Sequence, residues 1–366
     1  MQGAAGGKAS GALAPARPPA HSPPDANGET TTMRHTIAAG LLAGSALASA
    51  ASAQDVLTAV HAFPETLIYT QSFLEFVEKV NEAGEGVVRI DVRGGPEAIG
   101  MFQQPDAVRD GVVDMVYTPG SFYGGTVPEK DAMVASNMTG PEARASGGYA
   151  LMDEIHQEKM GVKYLGWMDS NVCYNLWTVD EPRLDADGDL SVEGLKLRGN
   201  AVYNAFFNDY LGAQVIDLPT TDVYAGLERG VVDATGWTQI GLADLKWDEF
   251  VRYRIDPCFF STDLGVVVNL DRWNALSDEA REIVARVAEE HEAASAERLG
   301  ALAEEQLAAL EEAGMTTVTL EGDAAERYLA AARETTHARM RELMEESPQG
   351  AGNYDRLVAL FYDEGK

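Results

Sequence analysis

The chain has 366 residues, of which 45% are hydrophobic, so it is long enough to form more than one typical hydrophobic core. Its 58 acidic residues outnumber its 28 basic residues and give a formal net charge of −30 at pH 7. A chain this acidic repels phosphate backbones, which argues against nucleic-acid binding. The cysteines Cys173 and Cys258 form no CxxC pair, which argues against a zinc or redox motif and leaves either a disulfide or two free thiols.

The first 53 residues predict an export signal. Residues 1–32 are rich in Gly, Ala and Pro and have no apolar period, so we expect a disordered extension. A basic start at 33–35, an apolar run over 36–51 and the small residues up to Ala53 predict a signal peptide that is cleaved before Gln54. Because a signal peptide normally begins a chain, we expect Met33 to be the true start and the mature protein to be periplasmic.

The next part of the chain predicts alternating strands and helices. Apolar runs predict strands over residues 56–63, 86–92, 112–117, 162–167 and 172–178. Helical periodicity predicts a helix after the first strand, with an apolar face formed by Tyr69, Phe73, Phe76, Val77 and Val80. Two further helices are predicted over 104–110 and 141–160.

The segment 194–239 predicts the order strand, helix, strand, helix, strand, over residues 195–198, 204–211, 214–218, 222–229 and 231–235. This order is typical of a parallel α/β sheet, in which ligands bind outside the carboxyl ends of the strands. Arg198 and Trp237 both fall at such ends. Arg198 suits a bidentate clamp for a carboxylate, with a structural ion pair as the alternative, and Trp237 suits an apolar wall beside it.

An internal echo and one long helix predict two lobes. The sequence VRDGVVD at 108–114 is echoed by LERGVVD at 227–233, and each copy predicts a helix end, a glycine stop and a strand that begins with Val-Val-Asp. After a returning strand over 264–269, Ser277 is predicted to cap a helix that runs to Gly314 and spans both lobes. A strand over 315–320 and helices over 324–346 and 354–362 follow.

These elements predict an α/β chain with a two-lobed periplasmic binding protein fold, type II-like, with a hinge cleft between the lobes. Lobe I is expected to contain residues 54–175 and 264–303, and lobe II residues 176–263 and 304–366. Such proteins close around a ligand by a hinge motion.

Catalytic and metal motifs are weak. His156, His291 and His337 lie in charged helical segments and are expected to be solvated, which leaves His61 as the only histidine at a predicted strand end. The acidic run at 185–189 resembles the start of an EF-hand loop, but Leu190 and Lys196 stand where Gly and Glu are needed. We therefore expect no enzymatic activity and no metal site of this type.

Four motifs, in order, resemble the solute-binding proteins (DctP type) of tripartite ATP-independent periplasmic (TRAP) transporters: GLKLR at 194–198, LGA at 211–213, LERGVVD at 227–233 and VNLDRWNAL at 268–276. The resemblance covers essentially all of residues 54–366. It implies capture of a small organic acid in the periplasm and delivery to a membrane permease driven by a sodium gradient. It also implies that Arg198 is the carboxylate-binding arginine.

The resemblance and the strand ends together suggest eight ligand-binding residues. Arg198 and Trp237 head the set, and Tyr174 is preferred over its neighbour Asn175 because alternation lets only one of them face the cleft. The other candidates are Asn200, Phe63, Tyr123, Asn269 and Glu97. An aromatic at 237 is similar to members that bind 2-oxo or 2-hydroxy acids, sometimes with a bridging sodium or calcium ion. Those members tend to have a carboxylate just before the Trp, where this chain has Gly236, so no metal ligand or other cofactor is assigned.

Two other functions stay open from the sequence. The protein could feed a sensor kinase instead of a permease, or it could be a periplasmic lyase or hydrolase with His61 as its general base. The sequence is compatible with a monomer or a homodimer.

Overall fold

The computed structural model describes residues 54–200, 203–348 and 350–366. The extension and signal peptide predicted in residues 1–53 lie outside the described residues. Within the described ranges, no helix combines the length and apolar character needed to cross a membrane.

Strands and helices alternate through most of the described chain. The strands are β1 (Asp55–His61), β2 (Val88–Val92), β3 (Met115–Pro119), β4 (Val162–Trp167), β5 (Cys173–Thr178), β6 (Arg183–Leu184), β7 (Leu190–Ser191), β8 (Lys196–Gly199), β9 (Gln214–Asp217), β10 (Ala234–Thr238), β11 (Tyr253–Ser261), β12 (Leu264–Asn269) and β13 (Thr316–Thr319). The α-helices are α1 (Ile68–Ala83), α2 (Gln104–Arg109), α3 (Asp131–Val134), α4 (Gly140–Ser146), α5 (Gly148–Met160), α6 (Thr220–Glu228), α7 (Leu270–Ala275), α8 (Asp278–Glu312), α9 (Gly322–Glu346) and α10 (Tyr354–Phe361).

Two large mixed sheets form the frame. The first has the order β2-β1-β3-β12-β4, with β1 parallel to β2 and β3, and β12 antiparallel to β3 and β4. The second has the order β13-β11-β5-β10-β8-β9, with β8 parallel to β9 and β10, and β5 antiparallel to β10 and β11. The predicted α/β architecture with two sheets is confirmed. The short strands β6 and β7 form a separate pair.

The chain crosses between the sheets twice. The first crossing, residues 168–172, joins β4 to β5, and the second, residues 262–263, joins β11 to β12. Thr262 ties the crossings together, because its hydroxyl donates to the Asp169 carbonyl at 2.8 Å and its backbone N–H donates to the Val172 carbonyl at 3.1 Å. The strand directions place the carboxyl ends of β1, β3, β8 and β10 on the sides of the two sheets that the crossings connect. A cleft between the sheets therefore lies at the edges where α/β proteins bind ligands.

Cys173 and Cys258 form a disulfide, which decides between the two alternatives left open by the sequence. The bond joins β5 to β11, the two strands of the second sheet that border the crossings. It therefore fixes the spacing of these strands next to the hinge.

The long helix α8 contacts both halves of the fold, as predicted. Ser277 caps it by accepting from the Ala280 backbone N–H at 3.2 Å. Near its start, His291 Nε2 lies 3.1 Å from the Ser72 hydroxyl of α1, which packs on the first sheet. Further along, Gln306 accepts from the Gly241 backbone N–H at 2.9 Å, just after β10 of the second sheet.

The Val-Val-Asp segments precede their strands, so the predicted strand starts at 112 and 231 were wrong. In both copies the glycine after the helix has a positive φ, 71° at Gly111 and 62° at Gly230. The first valine of each pair is exposed, and β3 and β10 begin only after the aspartate. Each aspartate instead accepts from a backbone N–H of the neighbouring strand: Asp114 from Thr58 at 2.8 Å and Asp233 from Lys196 at 2.7 Å.

The predicted lobe limits stay a prediction, but the packing associates two segments with the other sheet. Residues 173–175, expected in lobe I, belong to β5 of the second sheet. The C-terminal segment, expected in lobe II, contributes Met340, Met344, Leu357 and Phe361 to the hydrophobic cluster that contains Val60 and Val116 of the first sheet.

Two histidines expected on the surface are buried, so that prediction was wrong. His156 has no exposed surface, and its ring lies between the Tyr123 hydroxyl, 3.0 Å from Nε2, and the Met152 carbonyl, 2.7 Å from Nδ1. His291 is 2% exposed against α1. Charged neighbours in sequence did not indicate exposure, because some of them, such as Glu292, are themselves buried and paired.

We expect acid to destabilise the fold through His156. Burial lowers the pKa of His156 from 6.5 to about 4. Between these values the unfolded chain binds a proton that the folded chain does not, so the unfolding free energy falls with decreasing pH, by up to ~1.4 kcal/mol per pH unit. Urea unfolding across this window should show a steeper loss for the native chain than for His156→Gln. Equal slopes would contradict the assignment.

Candidate functional site

The candidate site is built around Arg198, which lies at the carboxyl end of β8 and is 1% exposed. Its guanidinium is held by neutral oxygen atoms. Nε donates to the Leu218 carbonyl at 2.9 Å, Nη1 donates to the Tyr203 hydroxyl, and Nη2 lies 3.5 Å from the Thr220 hydroxyl. The carbon Cζ lies 5.9 Å from the ring centroids of both Tyr203 and Trp247. These contacts fix the orientation of the planar group.

Arg198 has no carboxylate partner among the described residues. The predicted alternative, a structural ion pair, is therefore not what the structure shows. A guanidinium has five N–H donors, and the three contacts above use three of them, which leaves one on each terminal nitrogen without a partner among the described residues. Two parallel donors match the two oxygens of a carboxylate. A buried charge without a counter-ion is costly, so an anionic ligand would gain more here than at the surface.

Tyr203 occupies the space beside Gly236. Its hydroxyl accepts from Arg198 and donates to the Gly236 carbonyl at 2.9 Å. A Cβ atom built at Gly236 would lie 2.9 Å from the Tyr203 ring, so a side chain at 236 is incompatible with this packing. The glycine is therefore a requirement of the site, since it admits the ring that orients Arg198.

Aromatic rings from both sheets meet beside the arginine. Trp237, 3% exposed on β10, has its ring centroid 4.8 Å from Trp247 and 6.1 Å from Phe63, which follows β1. The indole N–H of Trp237 donates to the Ile240 carbonyl at 3.1 Å, which fixes the ring. Phe63 and Trp237, predicted from opposite lobes, are thus brought together in an edge-to-face contact.

Tyr174 and Asn175 lie on opposite faces of β5. Asn175 is fully buried and donates to the Ile255 carbonyl at 2.8 Å. Tyr174 is half-buried, and its ring centroid lies 6.0 Å from that of Tyr203. Asn200, just past β8, donates its backbone N–H to Asn204 Oδ1 at 2.7 Å. Tyr174 thus lies next to Tyr203, whereas Asn175 pairs in register with Trp237.

Two predicted ligand residues face elsewhere, and those predictions are corrected. Tyr123 is 5% exposed and packs in the core of the first sheet, where its hydroxyl meets His156. Asn269 lies at the end of β12, beside Met115 at the start of β3 and so at the edge opposite the crossings. It caps α7 by accepting from the Arg272 backbone N–H at 3.0 Å. The sequence order placed both near strand ends but did not reveal which side or edge they face.

Glu97 and His61 make local contacts. Glu97 is exposed and accepts from the Gly95 backbone N–H at 2.7 Å, and this hydrogen bond lowers the pKa of Glu97. His61 is buried with Nδ1 2.7 Å from the Phe63 carbonyl. In this structure His61 thus supports the turn that carries Phe63.

Gly236 bears on the bridging sodium or calcium ion that the sequence left possible. No group of three or more His, Cys, Asp or Glu that could hold a metal occurs in the part of the chain that the structure describes. A second cation beside Arg198 would need carboxylates to offset the repulsion, and position 236 cannot supply one while Tyr203 packs against it.

The first sheet also touches the second through α1. This helix has no side-chain cap of its own at Leu67, and the Asp244 carboxylate, which follows β10, accepts from the Ile68 backbone N–H at 3.0 Å. A carboxylate at a helix N-terminus satisfies a free donor and interacts favourably with the helix dipole. This contact across the cleft is available only while the two sides are together.

Two α/β sheets, joined by two crossings and spanned by a long helix, define a two-lobed binding protein. Residues 59–346 match the DctP family model, described as bacterial extracellular solute-binding protein, family 7. The chain belongs to this family of TRAP transporter solute-binding proteins. It is a family of extracytoplasmic binding proteins and not of enzymes, as predicted.

Curated relatives match part of the chain. A solute-binding protein of Albidiferax ferrireducens is 24% identical over 226 residues, or 58% of this chain and 64% of the relative. A monocarboxylate 2-oxoacid-binding periplasmic protein of Nostoc sp. is 26% identical over 218 residues, or 56% of this chain and 57% of the relative. The chain thus spans less than two thirds of the length of these relatives.

Solved structures confirm the fold. An extracytoplasmic solute receptor of Bordetella pertussis that binds pyroglutamic acid is 19% identical, with a TM-score of 0.71 over 84% of this chain and 99% of the receptor. A TRAP solute-binding protein of Bordetella bronchiseptica, with copurified calcium and picolinate, is 19% identical, with a TM-score of 0.71 over 85% of this chain and 92% of that protein.

Sequence reasoning missed Tyr203, Trp247 and Asp244. Tyr203 lies five positions after Arg198, but only the structure shows its ring against Gly236. Trp247 lies in a short 3₁₀ turn that no periodicity predicts. Asp244 acts on a helix 176 positions away in sequence.

We expect Tyr203→Phe to weaken anion binding because Arg198 loses the acceptor that orients Nη1. A hydrogen bond to a charged group contributes about 1.5–3 kcal/mol, so affinity should fall about 10- to 100-fold. Calorimetric titration with a bound organic acid measures the change. The matched control is Tyr210→Phe, a tyrosine 39% exposed and outside the Arg198 contacts. Unchanged affinity in the Tyr203 variant would exclude the orienting role.

We expect Asp244→Ala to weaken ligand binding by about 2- to 30-fold, since a helix cap contributes about 0.5–2 kcal/mol and this one exists only in the closed arrangement. The loss should appear as faster ligand dissociation in stopped-flow traces. Glu228→Ala, an exposed acid at the end of α6, is the control. A dissociation rate equal to that of the control would show that the cap does not hold the cleft closed.

Proposed function

We propose that this protein captures a small organic acid by its carboxylate in the periplasm and delivers it to a TRAP permease driven by a sodium gradient. The observation that carries the proposal is the buried Arg198 guanidinium, which among the described residues has neutral partners only and keeps two N–H donors unused. A carboxylate would supply both the missing charge and the two matching acceptors.

The surroundings favour a small ligand with one anionic group at this point. Arg198 is the only charged side chain in the cluster of Tyr203, Thr220, Trp237 and Trp247 that surrounds it. The rings exclude water, and the attraction between a guanidinium and a carboxylate grows as the local dielectric constant falls. The whole chain has a formal charge of −30, so most of its surface repels anions. An anionic ligand is therefore attracted selectively to the isolated buried cation Arg198.

Three of the related proteins bind ligands of this class, whereas others bind glycerol phosphates. Pyroglutamic acid, picolinate and 2-oxo acids, which three of them bind, all carry one carboxylate on a small organic body. The family also includes TRAP components, and this supports the permease as the partner.

We expect Arg198→Ala to lower affinity for a bound organic acid by at least about 100-fold, because a desolvated charge pair would be lost. Arg198→Lys should lose about tenfold or more, since an ammonium is a point charge without the planar fork. The first measurement is a thermal-shift screen of refolded protein with pyruvate, lactate, pyroglutamate and picolinate, followed by calorimetry. The neutral analogues lactamide and picolinamide are the matched ligands.

Binding that survives in Arg198→Ala, or amides that bind as well as acids, would refute carboxylate capture by this residue. Sodium coupling needs a separate assay. Uptake into vesicles that hold the permease should require both this protein and an inward sodium gradient, and uptake that persists after the gradient is dissipated would contradict the coupling.

A further inference from the structure

Tyr69 is a buried tyrosine whose hydroxyl has no hydrogen-bond partner. The residue is 1% exposed on the first turn of α1, and its ring centroid lies 6.4 Å from Phe63. Its Oη atom is fully buried and makes no hydrogen bond within the described residues. Leaving a buried hydroxyl unpaired costs free energy, so a native structure that keeps one needs a reason for it.

The polar groups near Tyr69 are already engaged. Asp169 accepts from the hydroxyls of Tyr117 and of Ser72, the latter at 2.6 Å. Thr238 donates its hydroxyl to the Ile240 carbonyl at 2.9 Å. Asp244 accepts from the Ile68 backbone N–H at 3.0 Å. These groups have other partners, and within the described residues none of them meets the geometry of a hydrogen bond with the Tyr69 hydroxyl.

The Tyr69 hydroxyl lies at the cleft. Thr238, the polar side chain beside Tyr69, pairs in register with Tyr174 across β10 and β5. Tyr174 in turn packs against Tyr203, the hydrogen-bond partner of Arg198. The Tyr69 ring also lies beside Phe63, whose ring centroid is 6.1 Å from that of Trp237.

We propose that Tyr69 is a specificity-determining residue, whose hydroxyl donates to a second oxygen of the ligand while Arg198 holds the carboxylate. The inference rests on the proposed function and adds the ligand group at the first-sheet side. It favours hydroxy- or oxo-acids over plain alkanoates of the same size. An alkanoate would leave the Tyr69 hydroxyl unpaired, whereas an oxygenated acid satisfies it.

The chain offers a matched control in Tyr328. This residue lies on α9 and is 2% exposed, and its hydroxyl is also buried without a hydrogen-bond partner among the described residues. Its ring packs in the cluster around Phe206, away from Phe63 and Trp237. Tyr328→Phe therefore removes the same kind of atom from a place where the proposal puts no ligand.

The experiment compares native protein, Tyr69→Phe and Tyr328→Phe against butyrate, 2-oxobutyrate, 2-hydroxybutyrate and 3-hydroxybutyrate by calorimetry. The native protein should prefer at least one oxygenated acid to butyrate by about tenfold, and Tyr69→Phe should remove that preference with little effect on butyrate. Tyr328→Phe should keep it. Without ligand, both variants should melt no lower than native protein, because each loses an unpaired hydroxyl.

Four results would overturn the proposal. A preference that persists in Tyr69→Phe would place the second contact elsewhere. An equal loss for all four acids, or a lower melting temperature of the unliganded variant, would show that the hydroxyl is structural. In these first three cases the native protein still binds the acids, and the proposed function stands. Failure of native, refolded protein to bind any of the four acids would count against both.

Discussion

The structure depends on the burial of one positive charge. Removing a guanidinium from water is expensive, and here the cost is offset by oxygens of neutral groups and by the faces of aromatic rings. Each of these contacts constrains the structure of the surrounding chain. Gly236 must lack a side chain, β9 must end where the Leu218 carbonyl can reach Nε, and Trp247 must turn inward from a loop. The site is thus built by the second sheet around Arg198.

The first sheet contributes a different kind of group. Its side of the cleft offers Phe63, an apolar ring, and Tyr69, whose hydroxyl has no hydrogen-bond partner among the described residues. The division matches the physics of closure, because a charge can be held permanently on one side while the weaker contacts are completed only when the sides meet. The cap that Asp244 places on α1 belongs to the same set of contacts.

Strand ends were readable from the sequence, and the contacts between elements were not. Arg198, Trp237 and Phe63 were predicted because the carboxyl ends of strands in α/β sheets converge on one edge. Tyr69 was assigned to the apolar face of its helix, and it is indeed buried, but periodicity carries no information on whether a hydroxyl finds a partner. Tyr123 and Asn269 show the opposite limit, since their positions near strand ends did not reveal the direction or edge they face. Val112 and Val231 resemble the start of a strand in the sequence, but they belong to the exposed turn that ends the preceding helix.

The link between Cys173 and Cys258 concerns the history of the molecule as well as its shape. Bonds of this kind form and persist in oxidising compartments. This one ties β5 to β11 beside both crossings, which agrees with the extracytoplasmic location of the family.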